Sequence, residues 1–189
     1  MAALVAAVQD SDGEIVTAST FASSVGSFRL SITDAPQPNA EAIYVLFTQV
    51  EIKNKKSGKI FNILPAPVEI NLLSLQNGIS SLFGQLQLPE GYYHELKFFI
   101  SDASVVISGK RIQVLVSNFI RERGLRVFGS FEVKGGSTSE LFIDFDAKRL
   151  LAWSSAGAVF RPIAKLRHLK FQPAGIHLEE AADGTLSLI

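Results

Sequence analysis

The 189-residue chain contains no cysteine. That excludes a disulfide framework, a thiolate metal site and a cysteine nucleophile, while leaving the compartment open. Charge is scarce as well. Asp, Glu, Lys and Arg make up 19% of the residues, against roughly 25% in an ordinary domain. The 18 basic and 18 acidic residues cancel, so no overall field draws the chain onto nucleic acid. Few charges and no net self-repulsion favour association. Long apolar runs are missing too, and none reaches the roughly 18 to 20 residues of a membrane-spanning helix. The start, Ala2 to Val8, is apolar but short, with no basic residue before it. It reads either as the trimmed end of an export signal or as a free strand. The three histidines, His94, His168 and His177, match no H-x-x-x-H or H-E-x-x-H metal spacing.

What is present is the material of a packed β protein. Hydrophobic residues are 47% of the chain and 14 are Phe, enough for one core without staples. Phe28, Leu30 and Ile32 alternate with Ser27, Arg29 and Ser31, the period of a half-buried strand. That strand stops at Asp34-Ala35-Pro36, where Pro36 cannot continue a ladder and Asp34 can form an Asx-type turn. Residues 42–53 are β-branched and aromatic and end at N-K-K-S-G-K, a hairpin turn. Two short strands follow, split by Pro65 and Pro67, which suits a sheet edge. Ile79, Leu82, Phe83 and Leu86 fall at i, i+3, i+4 and i+7 and predict a short helix over 77–86.

Further on, Y-Y-H-E-L-K-F-F-I-S reads as a strand, and S-V-V-I-S-G-K-R-I-Q-V-L-V as a hairpin around Gly109. G-L-R-V-F-G-S-F-E-V and E-L-F-I-D-F-D read as a second hairpin across K-G-G-S-T-S. Residues 147–158 predict a helical turn or loop. F-R-P-I-A-K-L-R-H-L-K-F fits either a bulged strand or a helical turn, and the tail predicts a hairpin around Asp183-Gly184. Many short strands with one short helix predict a β-sandwich. The chain divides into an N-terminal arm (1–25), the sandwich (26–173) and a C-terminal hairpin or tail (174–189).

The ordered motifs G-S-F-R-L-S-I-T-D-A-P, L-P-E-G-Y-Y-H-E-L-K-F-F-I-S and L-F-I-D-F-D-A-K-R resemble the family known as domain of unknown function 4382, over about residues 26–170. The resemblance implies an immunoglobulin-like or prealbumin-like β-sandwich exported from the cell, as in bacterial and archaeal secreted proteins and lipoproteins. It implies no activity and no catalytic residues. The chain departs from the lipoprotein pattern in having no cysteine to lipidate. Within L-P-E-G-Y-Y, Tyr93 is placed to pack at a sandwich corner and bond back to the backbone, as in a tyrosine corner.

Signals for catalysis are poor. The nearest nucleophile-elbow string, Trp153-Ser154-Ser155-Ala156-Gly157, has Trp where the first Gly belongs. S-G-K at 57–59 and 108–110 lacks the upstream Gly of a phosphate loop and reads as hairpin turns. No enzyme activity and no cofactor are expected. Asp34, Asp144 and Asp146 are weak calcium candidates, since Ca²⁺ wants several oxygen ligands; Leu141, Ile143 and Phe145 should point inward and the acids outward. Trp153, Tyr92 and Tyr44 are candidates for stacking on a sugar. Leu4, Val5, Val8, Ile15 and Val16 in the arm suit donation of a strand to a neighbouring sheet. The expected role is an exported, self-assembling structural protein, with its own copies as partners. The alternative is a monomeric binding module for surface polysaccharide.

Overall fold

The structure, a computed structural model, describes residues 6–9, 15–18, 24–34, 40–75, 80–146, 149–155, 157–172, 178–180 and 186–188. In chain order the elements begin with β1 (Ala6–Gln9), β2 (Ile15–Ala18), β3 (Val25–Asp34), β4 (Ala42–Asn54), β5 (Ile60–Asn62) and β6 (Val68–Asn71). A 3-10 turn over Leu72–Leu75 leads to β7 (Ser81–Pro89), β8 (Gly91–Ile107) and β9 (Lys110–Val114). The helix α1 (Asn118–Arg123) precedes β10 (Leu125–Val133), β11 (Thr138–Phe145), β12 (Leu151–Ser154), β13 (Gly157–Phe160) and β14 (Ala164–Gln172). Two three-residue strands follow, β15 (Leu178–Glu180) and β16 (Leu186–Leu188).

Two sheets form the all-β sandwich. One runs β14-β11-β3-β7, with β11 parallel to β3 and the outer pairs antiparallel. The other is built on β4 and β8, antiparallel along nearly their whole length. Its two margins are each divided: β10 and β9 share the free side of β8, and β5 and β6 share the free side of β4. Pro65 and Pro67 sit between β5 and β6, where a missing backbone donor costs no ladder bond. Three further hairpins pair within themselves: β1 with β2, β12 with β13, and β15 with β16. The parallel bridge from Leu115 to Val159 ties β13 to the end of β9.

The inner faces carry the aromatic core. Phe47 of β4 meets Phe83 of β7 at 4.9 Å and Phe145 of β11 at 5.7 Å between ring centroids, and Phe98 of β8 meets Phe145 at 5.4 Å. These crossings are edge-to-face, the preferred arrangement of aromatic quadrupoles. A second row of rings, Phe61, Tyr93, Phe131 and Phe28, crosses between the sheets nearer the β7–β8 corner. As expected, Leu141, Ile143 and Phe145 are buried.

Three expectations are corrected. Residues 81–86 of the expected helix are strand, in β7; residues 76–79 lie outside the described ones. Phe83 is an extra residue, since Leu30 faces Gly84 and Ser31 faces Leu82. A bulge of this kind breaks period two, so Phe83 and Leu86 face the core three residues apart, as on a helix, while Leu82, which the helical reading put on the same face, is exposed. Second, β10 and β11 do not pair; they lie in opposite sheets. The Gly135-Gly136 turn reverses the chain while crossing the sandwich, and Gly136 and Ser137 bond to Val25 and Ser27 of β3 instead. Third, most of the segment 147–158, expected as a helical turn or loop, belongs to the β12–β13 hairpin (151–154 with 157–160); the helical turn is confined to its start, where Arg149 N–H donates to the Asp146 carbonyl at 3.0 Å. The helix that does occur, α1, runs from an N-cap at Ser117, whose hydroxyl accepts from Ile120 N–H, to Gly124 at φ 72°. Of the two readings for residues 160–171, the bulged strand is the observed one, with Arg167 the extra residue opposite Phe142 and Ile143.

Candidate functional site

A concavity lies at the end of the sandwich where β7 turns into β8. Leu88-Pro89-Glu90-Gly91-Tyr92-Tyr93 makes that corner. Gly91 sits at φ 149°, a conformation that side chains rarely adopt, and a Cβ there would also lie 3.3 Å from the Asn54 side chain. Tyr93 is fully buried, and its hydroxyl donates to the Pro89 carbonyl at 2.8 Å. The tyrosine corner expected of this motif is therefore present. Burial pushes the Tyr93 phenol above its ordinary value, partly offset by a hydrogen bond with the Asn54 side chain.

With Tyr93 turned inward, Tyr92 is turned out and stands 54% exposed. Opposite it is the β4–β5 turn. Asn54 shapes that turn: its Oδ1 accepts from Lys56 N–H at 3.0 Å and from Ser57 N–H at 2.9 Å. The Lys55 N–H donates to the Tyr92 carbonyl at 2.7 Å and links turn to corner. Ser130, in the bulge of β10, completes the wall. The resulting groove encloses about 850 Å³ and is lined by residues 54–57, 89–92 and 130.

Glu90 belongs to this rim and is bonded to Ser24 and Gly135. Its carboxylate accepts from the Ser24 hydroxyl and from Gly135 N–H at 3.1 Å, and its own N–H donates to the Ser24 carbonyl at 2.8 Å. The Ser24 hydroxyl foremost, then Gly135 N–H, holds the Glu90 carboxyl below its ordinary 4.5. This clasp fastens the root of the N-terminal arm to the corner. Because the folded-state value is depressed, its contribution is present above about pH 4.5 and fades as pH falls through the folded value. Glu90→Gln should therefore flatten the acid side of the curve of thermal midpoint against pH. Parallel acid slopes for wild type and variant would show that the clasp contributes nothing.

The other residues singled out in the sequence do not gather here. Tyr44 faces Ser104 while Asn54 faces Tyr93; ten residues of strand, about 33 Å, separate them along β4. One face of the Tyr44 ring is covered by the Arg111 guanidinium, 4.5 Å from its centroid. Trp153 is 59% exposed on the β12–β13 hairpin. The elbow-like string around Ser154 is thus strand-turn-strand, without a helix. Both S-G-K strings lie at hairpin turns, between β4 and β5 and between β8 and β9.

Each calcium candidate whose side chain is described has an arginine. Asp144 is buried and accepts from Arg167 Nε at 2.7 Å; the bulge in β14 aims that side chain. It was expected to be solvated, and the arginine lying over it accounts for the difference. Asp146 pairs with Arg149 at 3.6 Å. Asp34 ends β3 opposite Phe145. Among the described residues, no three His, Asp or Glu side chains are grouped to hold a metal ion.

Of the arm residues, Val8 faces Val16 and Ile15 faces Gln9 in the β1–β2 hairpin, while Leu4 and Val5 lie outside the described residues. The Asp183-Gly184 turn also lies outside them, between the paired strands β15 and β16. The groove residues 54–57 carried no flag in the sequence beyond a hairpin turn. An Asn followed by Lys-Lys-Ser-Gly is the signal that would have marked them, through the Asx geometry it imposes.

No helix among the described residues is long and apolar enough to cross a membrane. No curated protein and no solved structure shows significant similarity to the chain. A family match does cover residues 25–162, from β3 to just past β13, and takes in every strand of the two sheets except β14. That match covers well over half of the sequence, and the chain belongs to the family described as Domain of unknown function (DUF4382).

Proposed function

We propose that the protein is a non-enzymatic, exported structural protein whose copies associate through the N-terminal arm and the sheet edges. The observation that carries this reading is the pairing of the arm. Among the described residues, β1 and β2 pair with each other and with neither sheet, whereas β7, β10 and β14 are each nine residues long and paired on one side only. An edge with free N–H and C=O groups accepts an added strand. Donation from one copy to the next is head-to-tail and does not close, so it builds a filament. The low charge and zero net charge favour such contacts.

Electron microscopy and size-exclusion chromatography of the full chain, beside a version lacking residues 1–23, test the reading. The full chain should form polymers and the truncated one should elute as a monomer. Ser24 is retained, so the Glu90 clasp is not disturbed. A full chain that stays monomeric at high concentration, or a truncated chain that forms the same polymers, overturns it.

The groove at the tyrosine corner favours a second reading, a binding module for surface polysaccharide. Of the three aromatics expected to stack on a sugar, Tyr92 is the one that borders this groove. Its ring is exposed, while its backbone is fixed by Lys55 and by the buried Tyr93.

A further inference from the structure

We infer that the groove between the β4–β5 turn and the β7–β8 corner binds an acidic polysaccharide, with Tyr92 as the stacking platform and Lys55 and Lys56 as the anion contacts. This rests on the second reading above and names the site and the ligand class. Lys55 and Lys56 are both exposed. Neither has a carboxylate within ion-pair distance among the described residues. The carboxylate on the rim, Glu90, is committed to the Ser24 hydroxyl and Gly135 N–H. Two lysines against that one ionised carboxylate still leave the groove lining with a net positive charge, a locally positive place on a chain of zero net charge.

The remaining chemistry suits a sugar acid better than a compact ion. An exposed aromatic face packs against the C–H face of a pyranose, and ammonium groups on flexible stems meet carboxylates or sulfates as point charges. Ser57 and Ser130 add hydroxyls that can pair with those of a sugar. At about 850 Å³ the groove falls in the range of small-molecule sites. It is also preorganised. The Asn54 turn, the Lys55–Tyr92 bond and the Tyr93 anchor fix the backbone on both walls before any ligand arrives. The other two aromatics lack this combination: a guanidinium already covers Tyr44, and Trp153 lines no part of the groove.

Calorimetric titration of the full chain with two matched pairs tests the inference: oligogalacturonate against its methyl ester, and dextran sulfate against dextran. Oligothymidylate serves as the competing anion with stackable rings. At least one acidic form should bind, and its uncharged counterpart should bind at least about tenfold more weakly. Tyr92→Ala should weaken binding by about tenfold. The double variant Lys55→Glu, Lys56→Glu should abolish it, with the thermal midpoint unchanged because all three residues are exposed. Raising the salt should weaken wild-type binding. Equal binding of charged and uncharged forms, tighter binding of oligothymidylate, or indifference to Tyr92→Ala overturns the inference. If acidic and neutral sugars bind alike and both are lost on Trp153→Ala, polysaccharide binding stands and this site falls. If no sugar binds, both fall.

Discussion

Replacing Phe47 by alanine is expected to cost about 3 to 5 kcal/mol of folding free energy, the largest single effect in the sandwich. Phe47 is fully buried on β4, and its ring meets rings from both sheets: Phe98 beside it on β8, and Phe83 and Phe145 across the interior. Removing it takes away the transfer free energy of the ring and leaves a void. The neighbouring strands, hydrogen-bonded at β4–β8 and β11–β3, cannot collapse into that void without breaking register. The three neighbouring rings also lose their edge-to-face partner. In a domain of this size such a loss lowers the thermal midpoint by about 10 °C. Phe128, which is 66% exposed on β10, is the control. Phe128→Ala should move the midpoint by no more than about a tenth as much, since surface truncations usually lie within ~0.5 kcal/mol of zero. Chemical denaturation of both variants checks the pair. Equal losses would mean that the two sheets do not enclose the Phe47 cluster.

Much of this architecture can be read from local sequence, and the reasons differ by element. Strands β3, β4 and β8 announce themselves because one face is buried and the other is not, so their side chains alternate. The hairpin β8–β9 is equally plain: Ser108 and Gly109 both take positive φ, at 49° and 71°, as a tight two-residue turn requires. Tyr93 is legible because Pro, Gly and an aromatic at that spacing leave the ring little choice but the corner. Other features depend on partners distant in sequence. Gly135-Gly136 signals a reversal, but whether hydrogen bonds or side chains follow it is decided by β3, more than a hundred residues earlier. The bulge at Phe83 mimics a helical period, and only the register against Leu30 and Ser31 exposes it. The helix α1 carried its own caps, Ser117 and Gly124, but with six residues it showed no apolar stripe. The groove was half legible. Tyr92 stood out as an aromatic beside a corner, whereas Lys55 and Lys56 look like any charged hairpin turn until β4 and β8 bring the two turns together.

Tyr93→Ala should be nearly as damaging as the loss of Phe47, at about 3 to 5 kcal/mol, and the milder Tyr93→Phe should separate its two roles. The ring stacks on Phe131 at 5.8 Å and meets Phe61 at 6.2 Å, while the hydroxyl reaches the Pro89 carbonyl. Phenylalanine keeps the ring contacts and leaves that carbonyl without its donor, a loss of about 1 kcal/mol at neutral pH. The pH dependence distinguishes the hydroxyl further. Burial raises the phenol above its ordinary 10.0, so the folded state holds the proton more tightly than the unfolded chain. The stability linked to that proton is fully present below pH 10 and is lost as pH rises through the folded-state value. The gap between wild type and Tyr93→Phe should therefore be constant from neutral pH to about 10 and narrow above it, while every other alkaline titration is common to both proteins and cancels. Urea denaturation of the two proteins across that range measures the gap. A gap that stays constant above pH 10 would place the hydroxyl in water. The corner also supports the groove wall, because Tyr92 is held outward by Tyr93 being held inward. Tyr93→Phe, which keeps the ring in place, should leave ligand binding at the groove unchanged, whereas Tyr93→Ala should lose it together with the fold of the corner.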